Sequence, residues 1–126
     1  MSKVYGVGDL RKALDSIGAT QRQLSYLVAK DWIKPSVRMP GRLGYTMDDI
    51  VLVFLMLGPL STLEPVTRRR VVGHAAAFLF WGPRNDSEFV EIDLEDAKQN
   101  RLPAIVLKLD RQEILSQFAT FMAAVG

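Results

Sequence analysis

Apolar residues recur at helical spacing along the first third of the chain. Val7, Leu10, Leu14 and Ile17 stand at i, i+3, i+7 and i+10, with Asp9, Arg11, Lys12 and Asp15 between them, which predicts a short amphipathic helix with one buried stripe. Gly18 follows and can take the positive φ that a tight helix-to-helix turn demands. A second helix should open at once, because Thr20 and Gln23 have the T-x-x-Q spacing of a capping box. In that motif the Thr hydroxyl accepts from the N3 amide while the Gln side chain accepts from the cap amide. Leu24, Leu27 and Val28 form the buried stripe of this helix, which leaves Gln21, Arg22, Ser25, Tyr26 and Lys30 on its outer surface or margin.

Trp32 and Ile33 continue the apolar pattern until Lys34-Pro35 stops it, since the residue before proline is pushed out of the helical region. The loop SVRMPGRLGYT carries two Gly, one Pro and two Arg, and with Ile33 and Tyr45 as flanking strand positions it predicts a small two-stranded wing. Thr46 and Asp49 repeat the capping-box spacing, and Asp48 and Asp49 lie at the positive end of the helix they open. The run 50–57 is apolar on nearly every side, more than one neighbouring helix pair can cover. Either the C-terminal part of the chain or a second subunit must pack on it.

Beyond Gly58-Pro59, Ser61 or Thr62 reads as a cap, with Glu64 in the first turn of a helix running to about Phe80. Val66, Arg69 or Arg70, Gly73, Ala77 and Phe80 approximate one face, and Gly82-Pro83 ends the element. The last third alternates. Val90, Ile92 and Leu94 fall on one side of a strand over 89–94, and Ile105, Leu107 and Leu109 on one side of a strand over 104–109. A long connection, with one helical turn over 95–99, joins them. Asp110 and Glu113 have capping-box spacing ahead of a terminal helix with Ile114, Leu115, Phe118, Phe121 and Met122 as a wide apolar face.

Composition narrows the chemistry. At 126 residues and 48% apolar content, the chain suits one compact domain or a small domain with an accessory lobe. It has no cysteine, which excludes disulfides, thiolate zinc sites and cysteine nucleophiles. The N-terminus lacks a basic-then-apolar leader, and 50–57 is too short to span a bilayer, so a cytoplasmic protein without membrane partners is expected. Net charge is only +2, yet residues 1–84 hold twelve bases against six acids and the remainder four against eight. A basic front and an acidic back suit a polyanion on one side. His74, the single histidine, has no carboxylate at i±3 or i±4 to make a metal pair. The acids Glu88, Glu91, Asp93, Glu95 and Asp96 alternate as a solvated face does, and neither a phosphate loop nor a nucleophile elbow occurs. No enzymatic activity, cofactor or metal is expected.

The residues left outward on the second helix have the chemistry of a DNA groove. Gln and Arg can make bidentate contacts to adenine and guanine edges, while Ser and Tyr hydroxyls suit phosphates. The chain order of these pieces resembles the DNA-binding head of the MerR family of transcription regulators. Leu24-Ser25-Tyr26-Leu27 stands where that family has L-R-Y-Y, Trp32-Ile33-Lys34-Pro35 where it has L-L-K-P, and Gly44-Tyr45-Thr46 with Asp48-Asp49 at the end of its wing. Ser25 and Leu27 depart from the family pattern, which moves the lost Arg contact towards Arg22, and the family's long C-terminal coiled-coil helix is absent.

A mostly α fold with small β is expected: the resemblance, which covers about the first half of the chain, implies a winged helix-turn-helix over 1–62, and the patterning beyond it predicts over 63–126 a helix and a small α/β lobe of two strands and a terminal helix. The resemblance also implies double-stranded DNA as partner, with Thr20, Gln21, Arg22, Ser25, Tyr26 and Lys30 at the groove and Arg38, Arg42 and Tyr45 at the wing. A homodimer on a two-fold-related site is expected, joined through the lobe and the apolar face of 50–57, in the bacterial or phage-bearing cytoplasm at the nucleoid. A repressor-like regulator is the leading expectation. An architectural or excisionase-like factor, or an antitoxin or adaptor module whose lobe binds a protein, are the alternatives.

Overall fold

The computed structural model describes residues 4–35, 37–39, 42–81, 89–93 and 106–126; the side chains of residues 37–39, 42, 43, 91–93 and 106 are outside that description. Among the described residues the chain is mostly helical, with two small antiparallel sheets.

A 3₁₀ turn, Gly8–Leu10, leads into α1, Arg11–Ser16. The Asp9 carboxylate accepts from the Gly6 amide at 2.8 Å, tightening the entrance. Leu10 and Leu14 are buried, and Val7 and Ile17 half-buried, so the expected stripe holds. Gly18, at φ 72°, ends α1. The Ala19 amide donates to the Leu14 carbonyl at 2.9 Å and the Gly18 amide to that of Asp15 at 3.1 Å, the paired bonds of a Schellman cap.

The second helix, α2, spans Gln21–Ala29, with both bonds of the Thr20/Gln23 capping box present. Its far end closes with a second Schellman pair, Trp32 amide to Leu27 carbonyl at 3.0 Å and Asp31 amide to Val28 carbonyl at 3.1 Å. The left-handed position is filled by Asp31, at φ 59°. Asp tolerates that region better than most residues because its short side chain can bond locally. Ile33 is then buried beneath the turn.

Strands β1, Val37–Met39, and β2, Arg42–Gly44, pair antiparallel with Val37 opposite Gly44 and Met39 opposite Arg42. The strands of this hairpin lie inside the expected flanks Ile33 and Tyr45. Tyr45 instead bridges to Tyr5, with both amides donating across the pair at 2.7 and 2.8 Å. Ser36, Pro40 and Gly41 of the expected wing lie outside the described residues.

Helix α3, Met47–Leu57, opens on the Thr46/Asp49 capping box, as its sequence predicts. Nearly all of it is buried. The cover comes from the chain itself: α2 and α4, Pro65–Ala76, pack on it, as do the rings of α5, Arg111–Ala123. Phe54 sits at the centre, edge-on to Phe118 at 5.1 Å and Phe121 at 5.4 Å between centroids. Phe80 meets Phe118 at 4.8 Å. The apolar face of 50–57 is therefore spent inside one chain and is not available as a dimer surface, contrary to expectation.

Two further expectations need correction. Helix α4 begins at Pro65 with Glu64 as its cap residue and no side-chain cap bond, rather than at Ser61 or Thr62. Pro at the first helical position has no amide to leave unpaired and its φ is preset, so the helix starts there. The buried stripe of α4 is Val71, Val72, Ala75 and Ala76, continuing to Leu79 in a π-turn over Ala77–Trp81. Val66, on the expected face, is 63% exposed. Small side chains let α4 lie close against α3, a criterion that ranking residues by size misses.

Strands β3, Phe89–Asp93, and β4, Val106–Asp110, pair antiparallel with Val90 opposite Leu109. Both of those side chains are buried. The connection over 94–103, with its expected helical turn, lies outside the described residues, as do Gly82-Pro83 and the acids Glu88, Glu95 and Asp96. At the start of α5 the Asp110 carboxylate accepts from the Glu113 amide at 3.0 Å, which is half of the expected box. One buried cluster runs from Tyr5 to Phe121, so the two halves share a core. The C-terminal backbone also returns to the start, with the Gly126 amide donating to the Asp9 carbonyl at 3.0 Å.

Candidate nucleic-acid interface

Everything that fixes α2 is on its inner side or at its ends. Leu24 and Leu27 are 1% and 2% exposed and anchor the helix on the core. The Thr20 amide donates to Gln23 Oε1 at 2.9 Å, and the Gln23 amide to Thr20 Oγ1 at 3.2 Å, a pairing of the kind worth about 0.5–2 kcal/mol to a helix. With a Schellman turn before it and another after it, the helix has little freedom to rotate or fray.

That rigidity is delivered to a polar outer surface. Arg22, Ser25, Tyr26 and Lys30 are exposed and follow the i, i+3, i+4, i+8 spacing of one face, and Gln21 is half-buried at its margin. Neither Arg22 nor Ser25 has a side-chain partner among the described residues. Tyr26 is held upright from two directions. Its ring meets Trp32 edge-on at 6.0 Å, and Lys30 Nζ lies 5.7 Å from its centroid, a contact of roughly 0.5–1 kcal/mol at an exposed site. Thr20 is exposed, but its hydroxyl oxygen is already engaged in the cap.

The remaining expected residues divide. Arg38 and Arg42 occupy the β1–β2 hairpin, opposite Leu43 and Met39 respectively; their side chains are outside the description. Tyr45 is 1% exposed and has to be withdrawn as a surface contact. Its bridge to Tyr5 pulls it into the core, and burial first, then the neighbouring Asp49 carboxylate, pushes its phenol above the ordinary value of 10.0. Both causes disfavour the phenolate. His74 is exposed on α4.

Two residues that the sequence does not bring together adjoin this surface. A cleft of about 350 Å³ lies between α2 and the start of α4, with Arg22, Tyr26, Trp32, Leu57, Pro65 and Arg68 among its walls. Arg68 Nη1 donates to the Met56 carbonyl at 3.0 Å. Its Nε is buried and has no hydrogen-bond partner among the described residues. Trp32 continues the apolar pattern of the sequence, and Arg68 stands in the run Arg68-Arg69-Arg70, whose spacing alone suits a solvated helix face or a contact to DNA backbone. Only the packing of α4 on α3 brings them together, and no local spacing carries that information.

No protein-family profile, no curated protein and no solved structure matches this chain. Among the described residues, no helix is long and apolar enough to cross a membrane.

Proposed function

We propose that this chain is a sequence-specific, non-enzymatic DNA-binding protein of the regulatory kind, working in the cytoplasm at the nucleoid. In this reading residues 1–62 form a winged helix-turn-helix similar to the MerR head. The N-terminal part of α2 enters the major groove and the β1–β2 hairpin follows the phosphates. One observation carries the proposal: α2 is capped at both ends and anchored on its inner face, yet presents Arg22, Ser25, Tyr26 and Lys30 outward, with Gln21 half-buried at the margin. An α-helix is about 10–12 Å across with its side chains, a diameter that a major groove about 12 Å wide accommodates.

The roles follow from side-chain chemistry. Arg22 and Gln21 stand at the helix start, where a recognition helix meets base edges, and each offers paired hydrogen-bonding atoms in a plane. Ser25, Tyr26 and Lys30 supply hydroxyls and a cation suited to flanking phosphates. Arg38 and Arg42 add phosphate contacts from the hairpin. A homodimer through the surface of 63–126 would double this modest half-site contact on a two-fold-related operator.

A gel-shift titration of Arg22→Ala/Arg42→Ala on duplex DNA tests the reading. Loss of two phosphate or base contacts should weaken binding by at least about tenfold and flatten the dependence of log K on log salt by up to about two, with the thermal midpoint unchanged. Unchanged affinity, or binding that barely weakens as salt rises, would overturn it.

A further inference from the structure

We propose that the cleft between α2 and α4 is a binding site for a small aromatic carboxylate, and that its occupancy takes α2 away from DNA. The second half of this statement rests on the DNA-binding reading; the first does not.

At about 350 Å³, the cleft falls in the range that holds a small ligand. Its apolar walls are Tyr26 and Trp32, set at 89° to one another, and the side chains of Leu27 and Leu57. Two perpendicular rings with aliphatic groups behind them suit a flat ring, which can stack on one aromatic and meet the edge of the other. Its charged walls are Arg22 and Arg68, and no carboxylate is among the described residues that line it. Charge complementarity therefore calls for an anion.

Arg68 makes the anion specific. Its Nη1 is committed to the Met56 carbonyl, which orients the guanidinium, while Nε has no hydrogen-bond partner among the described residues. A carboxylate is the acceptor whose two oxygens match the guanidinium fork. Arg22 and Tyr26 belong both to the cleft and to the outward face of α2. A ligand that recruits them competes with DNA for the same groups.

The test is calorimetric titration of the full chain with naphthoate, alongside the Trp32 indole resonance. Saturable binding with movement of the Trp32 signal is expected. Naphthylmethanol, which lacks the charge, and Arg68→Met, which keeps the aliphatic stem, should each bind at least about tenfold weaker, one lost charged pair. Arg22→Gln, an exposed change, tests the second cation if Arg68→Met fails to fold. The absence of saturable binding overturns the site. So does naphthoate affinity unaltered by loss of an arginine, or inorganic phosphate binding as tightly as naphthoate. In a gel shift, naphthoate should displace the chain from duplex DNA. Saturable naphthoate binding without displacement overturns the competition and leaves the site, whereas a chain that never binds DNA overturns the DNA reading and leaves calorimetry to decide the site.

Discussion

Phe121→Ala tests whether the two halves of the chain are one cooperative unit. Phe121 is completely buried on α5 and lies edge-on to Phe54 of α3 at 5.4 Å, with Phe118 stacked beside it at 6.4 Å. Truncating a buried Phe to Ala removes its transfer free energy and leaves a cavity, together about 3–5 kcal/mol, and the lost aromatic pairing places this site towards the middle of that range or above. At about 2.1 cal/mol/K of unfolding entropy per residue, the 126 residues give a shift of about 4 °C per kcal/mol. A loss of about 4 kcal/mol therefore lowers the midpoint by about 15 °C. Differential scanning calorimetry, repeated by far-ultraviolet circular dichroism and tryptophan fluorescence, reads the outcome. A single transition, displaced equally by all probes, is expected because Phe54 belongs to the helix that also supports α2. A loss below about 1 kcal/mol, or a second transition at the wild-type temperature, would refute the shared core.

Further expectations follow from individual contacts. Gly18→Ala forces a Cβ into the left-handed region at φ 72° and should destabilise by about 1–2 kcal/mol in urea unfolding; an unchanged midpoint contradicts the role given to this turn. Gly58→Ala places a Cβ 2.7 Å from the Phe54 carbonyl oxygen, so backbone at the end of α3 must shift, with a loss of about 1–3 kcal/mol expected by the same assay. Tyr45 binds its proton more tightly in the folded chain than in the unfolded one. Its contribution is whole below the unfolded value of 10.0 and is lost as pH rises through the folded value, since the unfolded state then binds fewer protons. Urea midpoints across alkaline pH should fall less steeply in Tyr45→Phe than in wild type, and identical slopes would contradict this.

Local signals carried most of the helical part of the fold. The Thr20/Gln23 and Thr46/Asp49 boxes and the turn at Gly18 lie where their spacing puts them, because a cap is decided within four residues. What escaped was set by tertiary packing. Asp31 does the work of a glycine after α2, and its left-handed φ is held by two bonds to the preceding turn. Val71, Val72, Ala75 and Ala76, rather than larger neighbours, face the core because α4 lies close to α3. Tyr45 looked like a wing residue until its bridge to Tyr5 buried it. At the candidate site, the exposure of the α2 face was legible from period alone. The cleft with Trp32 and Arg68 was not, since those two walls stand 36 positions apart in the chain.

The central claim is that the outer face of α2 reads DNA sequence. In-vitro selection from a randomised duplex pool tests it most directly, with the intact chain as bait and Arg22→Ala in parallel. A recurring motif enriched by the wild-type chain is expected, with loss or relaxation of preference within it for the variant, at about 1–3 kcal/mol for a base contact made by Arg22. A pool that remains random after repeated rounds, or the same motif enriched equally by the variant, would contradict it.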